Sequence, residues 1–128
     1  MLTYVKELLR AGAPKVDLMI NTNEAMYQEV VSGSFHIKGG RKKLKLKRLE
    51  CSLIKEYQDG YEEKVETVTT ILMSKFLHEK EDLIVPFTFQ LSTKIEPSTP
   101  GFTYKFHTNL FFADNKVRED YDELIIKE

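Results

Sequence analysis

The chemistry available to this chain is concentrated in one basic run. Lys38, Arg41, Lys42, Lys43, Lys45, Lys47 and Arg48 fall within eleven residues. In extended backbone alternate side chains share a face, so with Leu44 and Leu46 turned inward, Lys43, Lys45 and Lys47 stand in a row facing solvent. Such a row attracts an acidic protein, a phosphorylated peptide or the headgroups of an anionic membrane surface. The same lysines also suit a strand that must avoid pairing with another chain. Acidic runs at Glu62-Glu63, Glu79 to Asp82 and Glu119 to Glu123 are available to neutralise them across neighbouring strands.

Other chemistry has less to work with. His36, His78 and His107 are the only histidines, they lie far apart, and no Cys-x-x-Cys joins them, so neither a metal site nor a cofactor is expected. Cys51 alternates with Leu49 and Leu53 and reads as a small buried hydrophobe, not a nucleophile. As the lone cysteine it can form no intramolecular disulfide, which fits a reducing compartment. Ser32-Gly33-Ser34 lacks the glycines two residues to either side that a nucleophile elbow requires. Gly39-Gly40 is not followed by the Gly-Lys-Ser/Thr ending of a phosphate-binding loop. No residue stands out as catalytic, and an enzyme is not expected.

Composition narrows the partners. Nineteen basic and 20 acidic residues give a net charge of −1, which supplies no general affinity for nucleic acid. Phe87, Phe89, Phe102, Tyr104 and Phe106 could stack bases only if they faced outward; their alternation turns them inward and leaves Phe111 outside. There is no apolar run long enough for a transmembrane helix, and Lys6, Glu7 and Arg10 interrupt any signal-peptide core, so a cytoplasmic location is expected.

The elements that must position these residues are strands. Residues 3–11 read as a short amphipathic helix, with Val5, Leu8 and Leu9 on one face, inside a leader over 1–13 that Gly12 and Pro14 bring to an end. Period-two alternation then begins at Val16, Leu18 and Ile20 and returns at Val31, Gly33, Phe35 and Ile37. Gly39-Gly40 reads as a tight hairpin turn with positive φ. The inward phase flips between Leu46 and Leu49, which predicts a β-bulge near Lys47 or Arg48. Asp59-Gly60 and Asp114-Asn115 are turn signals, and residues 62–77 are rich in β-branched side chains. Leu83 to Leu91 alternate cleanly, and Pro86 on the opposite face predicts an edge strand or a bulge. Phe102 to Phe112 give the longest alternation of all. About seven strands result, the pattern of an all-β sandwich, with a barrel as the competing architecture. At 128 residues without repeats or linkers, one domain over 1–128 is expected.

Three segments carry a family likeness: Lys15-Val16-Asp17 after the leader, Val31 to Gly40, and Pro86-Phe87-Thr88-Phe89-Gln90-Leu91. With weaker agreement at Lys105 to Leu110 and at Asp120-Tyr121-Asp122, the chain resembles the bacterial sporulation-control proteins of the arrestin-like clan. The resemblance implies an immunoglobulin-like β-sandwich of arrestin type and a cytoplasmic, non-enzymatic regulator. Members usually carry two such sandwiches, and the likeness here covers the N-terminal one. The stretch from Asn23 to Glu29 departs from the family in lacking its proline-glycine turn. Protein partners are then expected at sheet edges, with the Pro86 strand and the Lys-rich strand as the favoured ones, and the same edges would serve a homo-oligomer. The alternative is recognition of an anion, phosphopeptide or lipid headgroup by residues 38–48.

Overall fold

A computed structural model describes residues 12–128, in which β-strands are the only regular elements. The helix expected over 3–11 lies outside the described residues. The strands are β1 (Lys15–Ile20), β2 (Glu24–Met26), β3 (Val30–Lys38), β4 (Leu44–Tyr57), β5 (Glu62–Leu72), β6 (Phe76–Leu77), β7 (Asp82–Gln90), β8 (Phe102–Phe112) and β9 (Val117–Lys127). Two of them, β2 and β6, are only three and two residues long, which leaves the seven that alternation predicts.

They form two sheets. One has the order β1-β3-β7, and the other β2-β9-β8-β4-β5 with β6 paired to the start of β4. Among the described residues no ladder joins the two, and they form no closed barrel. All pairings are antiparallel except β2 with β9. The core lies between the sheets. The smaller sheet contributes Val16, Leu18, Val31, Phe35, Ile37, Phe87 and Phe89, and the larger contributes Leu46, Leu49, Cys51, Leu53, Tyr104, Phe106, Leu110, Phe112, Leu124 and Ile126. Phe106 is fully buried and meets Phe87 and Phe89 edge-on across the gap, at ring-centroid distances of 6.2 and 6.4 Å. These are the offset geometries that aromatic quadrupoles favour.

Local signals hold at most joints. The register of β4 against β8 shifts between Leu46 and Arg48, the bulge that the phase flip requires. Gly60 closes the β4–β5 hairpin at φ 89°, and Asn115 closes the β8–β9 hairpin at φ 72°. Pro86 sits on β7, an edge of the smaller sheet.

Two expectations are corrected. The first concerns Gly39-Gly40, where no hairpin forms and neither glycine takes a positive φ. β3 pairs with β1 and β7, whereas β4 pairs with β5, β6 and β8, so residues 39–43 carry the chain from one sheet to the other. The glycines are there for space. A Cβ built at Gly39 would stand 2.1 Å from the carbonyl oxygen of His78, and one at Gly40 would stand 2.1 Å from that of Gly12. The crossing is fixed by three backbone bonds: Gly39 N–H to Glu81 O at 2.7 Å, Arg41 N–H to Gly12 O at 2.7 Å, and Lys80 N–H to Gly40 O at 3.0 Å. The second correction concerns the Lys-rich strand. β4 is interior, flanked by β8 on one side and by β5 and β6 on the other, because its inward Leu49, Cys51 and Leu53 belong to the middle of the core.

Candidate functional site

The crossing between sheets builds a basic end. Segment 12–14 lies against the crossover through the Arg41–Gly12 bond, and it is tied to β9 by Arg118, whose Nε donates to Pro14 O at 3.1 Å. Gly12, at φ 95°, leaves room for the Arg41 side chain to lie across it. Two hollows open on either side of this arrangement. One, of about 480 Å³, is lined by Lys15, Lys38, Arg41, Lys80 and Asp82 together with Gly12, Ala13, Gly39 and Gly40. The other, of about 410 Å³, is lined by Arg41, Lys42, Lys116 and Arg118 with Ala13, Pro14 and Leu44. Arg41 belongs to both.

The predicted basic run is therefore divided. Lys38, Arg41 and Lys42 line the hollows. Lys43 lies beside them in sequence, but its Nζ sits over the Phe76 ring, 4.4 Å from the centroid. Lys45 and Lys47 are exposed near the start of β4. Arg48, at the bulge, is half-buried with its guanidinium 3.9 Å from the Phe111 centroid and its Nε 3.2 Å from Glu50 Oε2. Of the acidic runs, Glu62 and Glu119 pair with Lys105 and His107, and Asp82 stands opposite Lys38 across the β3–β7 ladder without an ion pair; among the described residues none of the three runs pairs with Lys43, Lys45 or Lys47. Lys15, Lys80, Lys116 and Arg118 were not legible as partners of the run. They come from three separate places in the sequence, and only the inter-sheet crossing gathers them.

Three carboxylates form a second cluster. One oxygen from each of Asp17, Asp120 and Asp122 lies within 4.8 Å of the others. Asp120 and Asp122 stand opposite the buried Thr108 and Phe106 in the β8–β9 ladder, so both point toward the core side of the sheet. Asp120 accepts the Leu18 N–H of β1 at 2.8 Å and so joins the two sheets. Asp122 Oδ2 is buried without a hydrogen-bond partner. Burial first, then the adjacent Asp120 and Asp17, pushes the Asp122 carboxyl up to about 8. Asp17 is raised as well, by burial and by Asp120, against a lowering contribution from His36. The spacing at 120 and 122, in phase with Leu124 and Ile126, is the sequence signal for this inward pair.

Protonation here has a definite sign. Between the ordinary value of 3.8 and about 8, the folded state holds a proton on Asp122 that the unfolded chain releases. Stability therefore falls as pH rises through that window. Asp122→Asn, which cannot ionise and can still donate toward Asp120, is expected to raise the melting temperature near pH 8 and to flatten its pH dependence. Thermal melts of both proteins across the window check this.

His36 and His107 belong to different sheets; the first contacts Ser34 Oγ at 3.0 Å, while the second contacts Glu119 at 3.1 Å and stacks on Tyr121. Cys51 is buried, and burial pushes its thiol up to about 11, so the nucleophilic thiolate is disfavoured. No helix among the described residues is long and apolar enough to cross a membrane.

The outer strands differ in what they leave open. β1 has its Leu18 N–H capped by Asp120. β7 carries Pro86, which has no N–H to offer. β2 is three residues long. β5 runs for eleven residues, is exposed or half-buried throughout, and pairs with β4 alone.

The family described as SpoOM protein matches residues 6–128. Among solved structures, Spo0M, sporulation control protein, from Bacillus subtilis is 23% identical, with a TM-score of 0.77 over 91% of this chain and 50% of that one. The present chain thus spans about half the length of that protein. The CARDB domain of a Pyrococcus furiosus protein, in complex with di-metal ions, is similar at a TM-score of 0.55 and 11% identity, over 88% of this chain and 86% of that one. Superoxide reductase (neelaredoxin) from Ignicoccus hospitalis is similar at 0.52 and 8% identity, over 88% and 80%. No curated protein matches.

Proposed function

This chain belongs to the SpoOM protein family, and from that membership we propose that it is a sporulation-control regulator that acts by protein contact and not by catalysis. On this reading, its two facing sheets form one arrestin-type, immunoglobulin-like unit working in the cytoplasm, where a lone thiol such as Cys51 stays reduced. The contact is strand addition along β5 by an extended segment of a partner protein. One observation carries this: β5 is an eleven-residue outer strand without cap or proline, in regular register from Thr69 to Leu72 beyond its two bulges, whereas β1 is capped, β7 contains proline and β2 is short. Unpaired N–H and C=O groups on such an edge supply main-chain hydrogen bonds to an added strand, and alternate side chains supply its specificity.

A photo-crosslinking residue at the exposed Thr70 of β5, compared with one at the exposed Thr88 of β7, tests the reading in cells that express the protein. The expected result is a discrete adduct from position 70 and little or none from 88. No adduct from position 70, together with a strictly monomeric protein by light scattering, counts against it.

A further inference from the structure

We propose that the basic end binds a small polyphosphorylated anion, its phosphoryl groups seated in the two hollows on either side of Arg41. This goes beyond the strand-edge reading and is independent of it, since β5 lines neither hollow.

Four observations converge. First, charge is gathered there against its own repulsion. Lys15 and Lys38 are direct cross-strand partners on β1 and β3, a like-charge placement that destabilises a sheet; Asp82, opposite Lys38 on the β7 side, offsets one of the two charges and leaves the other to a bound anion. Second, the charges are left without internal partners. Among the described residues no carboxylate comes within ion-pair reach of Lys15, Lys38, Arg41, Lys42 or Lys80; Asp82 lines the first hollow opposite Lys38 in the β3–β7 ladder but forms no ion pair with it, and Asp114 holds Lys116 at 3.7 Å. Third, Lys80 occupies a left-handed backbone conformation, φ 56°, where glycine or asparagine would be at ease. From this position Lys80 lines the first hollow. Fourth, the shape is serial and concave. Two hollows of about 480 and 410 Å³ share Gly12, Ala13 and Arg41, so a chain of phosphoryl groups that passes Arg41 can reach from one into the other. A bilayer would call for a flat or convex basic face. A long nucleic acid would call for basic surface well beyond this end, which a net charge of −1 does not supply.

Calorimetric titration at low salt uses inorganic phosphate, diphosphate and triphosphate as probes, with oligoglutamate as the acidic-peptide comparison. Affinity is expected to rise roughly tenfold for each added phosphoryl group and to fall steeply with added NaCl. Lys80→Gly relieves the backbone while removing a charge; it is expected to leave the melting temperature equal or higher and to weaken triphosphate binding roughly tenfold. Arg41→Gln is expected to cost more than any single lysine, because it faces both hollows. The double variant Lys45→Gln/Lys47→Gln, outside the hollows, is expected to bind as the parent does. A nucleoside triphosphate titrated alongside separates the possible sources: equal affinity assigns recognition to the phosphoryl chain alone, and tighter binding assigns added contact to the nucleoside. The proposal is overturned if triphosphate does not bind, if oligoglutamate binds as tightly, or if the Lys45/Lys47 variant loses as much affinity as Arg41→Gln.

Discussion

Phe106→Ala is expected to lower the unfolding free energy by about 3–5 kcal/mol, the range for truncating a large buried aromatic. Its ring has no exposed surface and meets Phe87 and Phe89 of the opposite sheet edge-on, so its removal empties the place where the layers interlock. Leu53 and Asp122 are its cross-strand neighbours. Neither refills the gap, since Leu53 is already fully packed and Asp122 carries a carboxyl that gains nothing from an apolar cavity. A loss of that size is a large fraction of the ~5–15 kcal/mol that holds a typical domain folded. Urea titration followed by tyrosine fluorescence measures it. A change below about 1.5 kcal/mol would mean that the sheets do not depend on this contact.

Gly40→Ala is the second large effect, and its sign separates two accounts of the same residue. Were Gly40 an unconstrained position at ordinary φ, alanine would stabilise by about 0.4–1 kcal/mol through the unfolded chain. The structure instead surrounds the new methyl with backbone: the Gly12 carbonyl oxygen at 2.1 Å, Ala13 C at 2.9 Å and Pro14 N at 2.9 Å. No rotamer change relieves such a clash, so segment 12–14 must move away from the crossover. The expected loss is about 3 kcal/mol, at the upper end for overpacking. Triphosphate affinity should drop with it, because the same movement breaks the Arg41–Gly12 bond and disturbs the hollow Arg41 helps to line. Gly60→Ala is the natural control. Nothing lies within 4 Å of its added methyl, and only the positive φ opposes it, at about 1 kcal/mol. Denaturation midpoints of the two variants, compared side by side, decide the matter.

These glycines mark where the sequence was readable and where it was not. Alternation placed Phe35, Phe87 and Phe106 in the core, the phase flip located the bulge of β4, and Pro86 pointed to an edge, because each of these is written in near neighbours along the chain. Which strands become partners is decided by packing between distant segments. A glycine pair that could have closed a hairpin instead passes between two backbones, and the Lys-rich strand that looked suited to an edge lies inside a sheet. The same non-local assembly gathered Lys15, Lys80, Lys116 and Arg118 beside part of the basic run. Asp120 and Asp122 were visible as members of an acidic run and of a segment that resembles the family, but not as an inward pair. Their shared phase with Leu124 and Ile126 was available, but charged side chains are ordinarily assigned to water.

The bond from Leu18 to Asp120 fastens only one flank. On that side β1 of one layer is stitched to β9 of the other; on the opposite side Val65, Val68 and Ile71 of β5 are only half-covered, and no described hydrogen bond ties β5 to β7. The molecule is bound like a book, with a spine at β1/β9 and loose page edges at β5/β7. Its slow thermal breathing would therefore fan open along the unbound side while the spine stays shut.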